Sequence, residues 1–319
     1  MALEVIDVNG LATIQDSGRK GWRRFGVPAS GPMDVFAFRA ANGLASNPSN
    51  FAVVEIGLGD MTFRALQDCV IAVAGAGYKL SIYLWEFSLW SSFFVRSGWT
   101  IRFNKMDDGM WAYLAIAGGA QTQPALGSRS TYLRGAFGGL EGRPLQAGDQ
   151  ILSGKPPHTL DQLAARTLPI EARPFYSDHP MIDIIMGPQT KYFSDKSIET
   201  FLSSEYSISL TSDRMGYRLE GPQLTHRDKT ELISEGITFG AIQVPASGQP
   251  IVMMADCPTT GGYPKIAAVA SADLPLLAQC APNKSKIRFQ ETTIAKAQKK
   301  YRNLMNSLES SILEPEQGE

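Results

Sequence analysis

Short apolar runs, alternating or unbroken and each stopped by glycine, proline or asparagine, recur along most of this chain. The pattern predicts strands at residues 3–8 and 11–14, joined as a hairpin by Asn9-Gly10, and further strands at 53–56, 69–74, 93–95, 100–103 and 111–117. In the last of these, Trp111, Tyr113 and Ala115 alternate with Ala112, Leu114 and Ile116, so both faces are apolar enough to be buried. Many short strands at this spacing favour a closed or sandwiched β architecture over a doubly wound α/β sheet. Helical spacing is confined to a few segments. Residues 32–44 carry Met33, Phe36, Ala37, Ala40 and Leu44 on one stripe, with Pro32 in the first turn, Asp34 at the positive end of the dipole and Asn42-Gly43 as the stop. Shorter helices are expected at 195–202 and 273–279. The longest is expected at 293–312, where Ile294, Ala297, Tyr301, Leu304, Leu308 and Ile312 recur, and the tail 314–319 beyond it is expected to fray.

A chain of 319 residues is long for one hydrophobic core and comfortable for two. The prolines of Lys155-Pro156-Pro157-His158 and Ala172-Arg173-Pro174 favour an extended connector, which places a linker or crossing around 155–178. The net charge of −1 carries no basic excess, which argues against nucleic acid or an anionic membrane as a partner. Lys296, Lys299, Lys300 and Arg302 read as the solvated face of the last helix. Cys69, Cys257 and Cys280 are odd in number and lack Cys-x-x-Cys spacing, so a disulfide framework is not expected and a reducing cytoplasm fits. No signal peptide is read at the N-terminus, and no apolar run approaches the roughly 20 residues of a transmembrane helix. A soluble cytoplasmic protein is the expectation.

Five polar segments are candidates for chemistry. In the first, Gln15, Asp16, Arg19 and Asp34 lie among the glycines and prolines of residues 14–34; they can orient a small polar ligand, or Asp16 can pair with Arg19 while Asp34 caps the helix. In the second, Ser128, Ser130 and Thr131 surround Arg129, either as an anion cradle or as a hydroxyl-capped turn. The third holds Arg214 and Arg218 beside Asp213 and Glu220, as ligand contacts or as an ion-pair network. The fourth offers Glu235 and Gln243 to a cavity. The fifth, residues 256–265, offers Asp256, Thr259, Thr260, Tyr263 and Lys265 around Gly261-Gly262; its lysine can be an anion contact, an acid–base group if desolvated, or simply solvated. His158, His179 and His226 are not at metal-ligand spacing, so no metal site is expected, and no Gly-x-x-x-x-Gly-Lys-Ser/Thr loop is present.

These segments, in this order, resemble the biotin-dependent carboxyltransferase-like family, which includes the C subunit of the ATP-hydrolysing 5-oxoprolinase, allophanate hydrolase subunit 2 and the antagonist of the sporulation kinase inhibitor. The resemblance rests on Gln15-Asp16 with Gly18-Arg19, Gly26-Val27-Pro28, Ser30-Gly31, Met33-Asp34, Glu55, Tyr113-Leu114-Ala115, Gly127 to Thr131, Gly138-Gly139-Leu140 and Gly187-Pro188-Gln189. In the second half it rests on Asp213 to Leu219, Ser234-Glu235-Gly236, Gly240 to Pro245, Gly248-Gln249-Pro250, Asp256 and Thr259 to Pro264. The chain departs from the family at Cys257-Pro258, where relatives usually carry Arg-Gln, and in the region 78–108.

The resemblance implies a mainly β fold of two cyclophilin-like β-barrel domains, 1–160 and 161–290, with a few short helices and a C-terminal helix and tail at 291–319. It implies a C subunit that acts with 5-oxoprolinase subunits A and B, inactive alone, in the ATP-dependent hydrolysis of 5-oxo-L-proline to L-glutamate. A lactam carbonyl is a poor electrophile, and phosphorylation of its oxygen creates the leaving group. ATP is then held within the complex, by a partner subunit or by an arrangement other than a P-loop. The alternatives are a carboxyltransferase subunit of a biotin-dependent urea or amide carboxylase, and a non-catalytic regulator that binds a subunit-B-like kinase inhibitor. Asp16, Asp256, Tyr263 and Lys265 are taken as catalytic candidates. Gln15, Arg19, Asp34, Arg129, Ser130, Thr131, Arg214, Arg218, Glu235, Gln243, Thr260, Gly261 and Gly262 are taken as substrate-binding candidates.

Overall fold

The computed structural model describes residues 2–227 and 232–312, so the expectation for the tail 314–319 lies outside the described residues. The fold is mainly β and divides into two compact units. The first takes the chain up to Lys20, then Ser30–Arg173, and again from Met305; the second takes Gly21–Ala29 and Pro174–Leu304.

The first unit holds β1 (Leu3–Gln15), β2 (Val53–Ala65), β3 (Cys69–Gly75), β4 (Tyr78–Ile82), β5 (Trp85–Phe87), β6 (Ser91–Val95), β7 (Thr100–Lys105), β8 (Trp111–Ile116), β9 (Ala120–Gln121) and β10 (Gln150–Ser153). They form one ten-stranded sheet that runs β5-β4-β7-β2-β1-β10-β9, while β8 pairs with both β2 and β3, and β3 with β6. Strand β2 is the branch point. Its residues Val54–Gly57 pair with β8, and its residues Met61–Arg64 pair with β7. Between them the strand kinks at Leu58 and Gly59, both at positive φ (61° and 152°). The inward residues Leu3, Val5, Ala12, Ile14, Ile56, Phe63, Leu80, Phe103 and Leu114 are fully buried, with Phe63 and Phe103 edge to face at 6.2 Å. As the unbroken apolar run requires, all six residues of β8 are buried.

Residues 3–8 and 11–14 do not form the expected hairpin. They are one strand, because β2 is long enough to pair along its whole length, and Asn9-Gly10 is an irregularity in register. At this point the two backbones nearly touch: a Cβ on Gly10 would lie 2.7 Å from Gly59 N, and one on Gly59 would lie 1.6 Å from Asn9 O. Asn-Gly, the usual hairpin signal, here marks a close approach of two chains.

Helix α1 (Val35–Leu44) starts later than expected, since Asp34 is its N-cap and accepts from Ala37 N at 2.9 Å. Asn42 and Gly43 lie in its last turn, where the Asn42 amide donates to Phe51 O at 2.9 Å. The segment expected to cross between domains is, as far as Arg173, part of the first unit. Its short helix α2 (Leu160–Leu163) packs Leu163 against Val70 and Ala117, and Ser92 Oγ donates to Leu163 O at 2.6 Å.

The second unit contains β11 (Met181–Met186), β12 (Tyr206–Ile208), β13 (Gly216–Glu220), β14 (Glu235–Gly236), β15 (Ala241–Gln243), β16 (Ile251–Met253), β17 (Thr260–Gly261), β18 (Lys265–Val269) and β19 (Lys286–Glu291). Seven of these close a barrel in the order β11-β18-β15-β16-β13-β12-β19, sealed by the parallel pair β11/β19, and β14 with β17 makes a separate two-stranded ribbon. Helices α3 (Asp195–Ser203), α4 (Leu274–Ala278) and α5 (Ile294–Ser311) match the expected segments. Lys300, expected on a solvated face, instead pairs with Asp183 at 2.7 Å and Asp273 at 2.6 Å, which ties α5 to the barrel.

Gly59→Ala should cost at least about 3 kcal/mol in urea denaturation, because a backbone contact must break at a strained φ. Gly98→Ala, at φ 83° with open space around it, should cost about 1 kcal/mol. Equal losses would show that φ alone, and not the β1/β2 approach, sets the requirement for glycine.

Candidate functional site

In the first unit, Asp16 follows directly on β1 and is 8% exposed. Its Oδ1 accepts from Gly18 N (2.9 Å), Ser128 Oγ (2.6 Å) and Ser130 Oγ (2.7 Å), and its Oδ2 accepts from Arg129 N (2.6 Å). Four donors satisfy most of the acceptor capacity of a carboxylate, so Asp16 staples the 128–130 loop to the end of β1. Arg19 is buried: its Nε donates to Ala125 O at 3.1 Å, its Nη2 donates to Ser130 O, and its guanidinium lies 4.7 Å from the centroid of the Phe137 ring. Gln15 donates to Thr13 Oγ1 (3.0 Å) and Thr131 O (3.2 Å) and accepts from Gly31 N (3.2 Å). Thr131 Oγ1 donates to Ile14 O at 3.0 Å. Arg129 is half-buried and donates to Thr122 O (3.0 Å) and Gln121 Oε1 (3.1 Å).

Asp34 is fully buried at the start of α1. Its backbone N–H donates to Tyr113 Oη (2.7 Å), and that hydroxyl donates to Glu55 Oε2 (2.8 Å), which also accepts from Met33 N (2.8 Å). Burial, with the Glu55 and Asp34 charges adding to it, pushes the Tyr113 phenol well above its ordinary value, so it stays a donor. Glu55 and Tyr113 were not among the site candidates. Their signal was a carboxylate and a phenol inside strands that otherwise read as core.

In the second unit, the ribbon pairs Glu235 with Gly261 and Gly236 with Thr260, which holds the glycine turn in place. Lys265 Nζ lies 3.0 Å from Glu235 Oε2 and donates also to Gly236 O at 3.3 Å. Gln189 bridges the same pair, donating to Glu235 Oε2 (2.8 Å) and accepting from Lys265 N (2.7 Å). The hydrogen bond and charge of Lys265 hold the Glu235 carboxyl below its ordinary range. Buried Gln243 donates to Tyr263 O at 3.0 Å. Gly261 is required here, since a Cβ would meet Ile237 Cδ1 at 2.4 Å and Gln243 Nε2 at 3.0 Å. Gly262 accepts through its carbonyl from Leu232 N at 2.7 Å. Arg214 and Asp256, both buried, pair through two hydrogen bonds of 2.9 and 3.2 Å.

Arg23, which was not a candidate, reaches this region from a single 3-10 turn, Arg23–Phe25. Its guanidinium donates to Ile237 O and, at 3.4 Å, to Pro258 O, beside the departure Cys257-Pro258. Burial raises the Cys257 thiol and Arg23 works against that rise, so the residue stays a thiol in the core. Gly21 and Gly26, both at positive φ, flank the turn and were its sequence signal. The side chains of Arg218 and Tyr263 stand apart from these networks and line a cavity of about 480 Å³ on the outside of the barrel.

The candidates thus fall into two groups. Gln15, Asp16, Arg19, Asp34, Arg129, Ser130 and Thr131 belong to the first unit, where they mostly satisfy one another and nearby backbone. Arg214, Arg218, Glu235, Gln243, Asp256, Thr260, Gly261, Gly262, Tyr263 and Lys265 belong to the second. There Lys265 is an ion-paired cation, and Tyr263 presents a phenol that is 40% exposed.

The sequence pattern of the carboxyltransferase domain, subdomain A and B, covers residues 25–291, and the chain belongs to this family. It is 39% identical over 300 residues to the C subunit of 5-oxoprolinase from Haemophilus influenzae, covering 93% of each chain. Against the Escherichia coli protein of the same name it is 36% identical over 299 residues, again covering 93% of each. The K. lactis urea amidolyase structure superposes with a TM-score of 0.91 at 28% identity over 98% of this chain, which spans 20% of the length of that one.

Asp16→Asn puts an amide N–H₂ among donors, so it should lower the free energy of unfolding by about 2–3 kcal/mol. Unfolding in urea measures this, and an unchanged midpoint would contradict the staple. For Glu235 the folded pKa is depressed, so the contribution of its pair is present above the ordinary carboxylate pKa and is lost as pH falls through the folded value. Hydrogen exchange at Lys265 N–H, corrected for its intrinsic rate, should therefore rise in acid in the wild type. In Glu235→Gln it should be fast throughout with no step, whereas matching profiles would rule the pair out as the clamp.

Proposed function

We propose that this chain is the C subunit of an ATP-dependent 5-oxoprolinase that hydrolyses 5-oxo-L-proline to L-glutamate with subunits A and B and is inactive alone. The observation that carries the reading is the match, along 93% of both chains, to two proteins named as C subunits of 5-oxoprolinase. The urea amidolyase likeness, close as it is in fold, spans a fifth of a much longer chain. Carboxyl transfer from carboxybiotin to a urea-like amide is the second reading, and it draws its support from that superposition.

A triphosphate needs a cluster of uncommitted cations or backbone donors. The cations at the glycine turn do not fit it: Lys265 is paired with Glu235, Arg214 with Asp256, and Arg23 with two carbonyls. We therefore assign ATP to a partner subunit. Within this chain, Tyr263 is assigned to the substrate, and Lys265, through its pair with Glu235, holds the Thr260-Gly261-Gly262 turn beside it. Asp256 acts through Arg214, and Asp16 through the 128–131 loop, as positioning residues. Burial of Cys69, Cys257 and Cys280 as free thiols supports a reducing cytoplasm, and no helix among the described residues is long and apolar enough to cross a membrane.

Reconstitution tests the assignment. The chain mixed with subunits A and B should release glutamate and ADP together from 5-oxo-L-proline and ATP, and neither the chain alone nor the mixture without it should do so. No turnover by the full set would overturn the reading, and transfer of carboxyl from carboxybiotin to urea would establish the second. Lys265→Met should lower kcat/KM about 100-fold, equivalent to about 2.7 kcal/mol.

A further inference from the structure

The cavity beside Tyr263 is built from four separate pieces of the second unit. Strand β13 contributes Arg218 and Glu220, which are two residues apart and so lie on one face of the strand. Ser209 and Thr211 come from the turn after β12, Ser247 from the loop before β16, and Tyr263 from the glycine turn. At about 480 Å³ it lies within the range of about 300–1,000 Å³ of small-molecule sites.

Its frame is rigid. Ser209 N donates to Arg218 O at 2.9 Å, and Arg218 N donates to Ser212 Oγ at 3.0 Å. The Gln249 amide is spent on Gly221, accepting from its N–H at 3.2 Å and donating to its carbonyl at 2.9 Å. The backbone that aims the Tyr263 ring is fixed by Gln243. The guanidinium of Arg218, by contrast, makes no hydrogen bond or ion pair among the described residues. Arg23, Arg214 and Lys265 are all committed.

An open guanidinium presents a fork of donors that matches a carboxylate bidentately. Glu220 supplies the opposite complement, since an ionised carboxylate only accepts and therefore selects an N–H. A ligand that suits both carries a carboxylate at one end and a neutral N–H a few atoms away. A lactam carboxylic acid has that pattern.

We propose that this cavity binds a small cyclic amide bearing a carboxylate, with Arg218 holding the carboxylate and Glu220 accepting from the lactam N–H. Its identity as 5-oxo-L-proline rests on the functional reading above. The Ser247 hydroxyl, and the one proton left over from the Ser209–Thr211 hydroxyl pair (3.2 Å), supply further donors, and the Tyr263 ring forms one wall.

Saturation-transfer NMR and calorimetry on the full purified chain, without partners, test the site directly. The probes are 5-oxo-L-proline and 2-pyrrolidinone, which keeps the lactam and lacks the carboxylate. 5-Oxo-L-proline should bind the wild type at least tenfold more tightly than 2-pyrrolidinone. Arg218→Gln should remove that preference, Arg218→Lys should restore part of it, and Glu220→Gln should weaken both probes alike. In the reconstituted complex Arg218→Gln should raise KM about tenfold with kcat nearly unchanged. Equal binding of the two probes, or an Arg218→Gln variant with wild-type affinity and KM, would overturn the proposal. A complex without turnover would remove the functional reading, whereas the binding arm decides on its own whether the cavity takes a lactam carboxylate.

Discussion

A carboxylate does not leave water unless donors meet it, and the first unit is arranged around meeting that demand at Asp16. The loop after β1 and the loop at 128–130 have little apolar surface of their own with which to pack. They are joined because Gly18, Ser128, Arg129 and Ser130 converge on one carboxyl group. Arg19 then fills the space that the join encloses. A Cβ on Gly138 would come within 2.5 Å of its Nη2, so the glycine there is part of the same fit.

The second unit answers the same constraint with both signs of charge. Arg214 and Asp256 are buried together as a two-hydrogen-bond pair, the arrangement in which neither is left uncompensated. Lys265 is treated differently. Its carboxylate partner is more than half exposed, so the pair clamps the glycine turn without a large desolvation cost. Arg218, by contrast, makes no side-chain hydrogen bond or ion pair among the described residues, and its guanidinium lies in a hydroxyl-lined cavity that a ligand can reach.

Much of this was legible in the sequence where the signal was local. The unbroken apolar runs of β3 and β8 could only be buried strands, and the α1 stripe could only face a core. Asn9-Gly10 misled because a turn signal reports backbone permissiveness, not direction. The same freedom serves a hairpin or a close passage, and only the distant partner Gly59 decides which. The polar loop at 15–34 was recognisable as special, yet its role was not: side chains that bind a ligand and side chains that bind their own backbone have the same composition. Arg23 and Gln189 were missed for a related reason: the glycines around Arg23 and the Gly-Pro before Gln189 mark a turn, but the groups each one acts on lie far along the chain.

The branching of β2 has a consequence for how this fold tolerates change. One strand is read by β1 along its length, by β8 over its first half and by β7 over its second. Side chains alternate faces with a period of two, so adding or removing a single residue in β2 would turn part of that strand inside out against several neighbours at once. Substitutions along it are separate events, but insertions are shared ones. A change of length in a loop of this chain is therefore absorbed locally, while the count of residues in this one strand is held by three partners together.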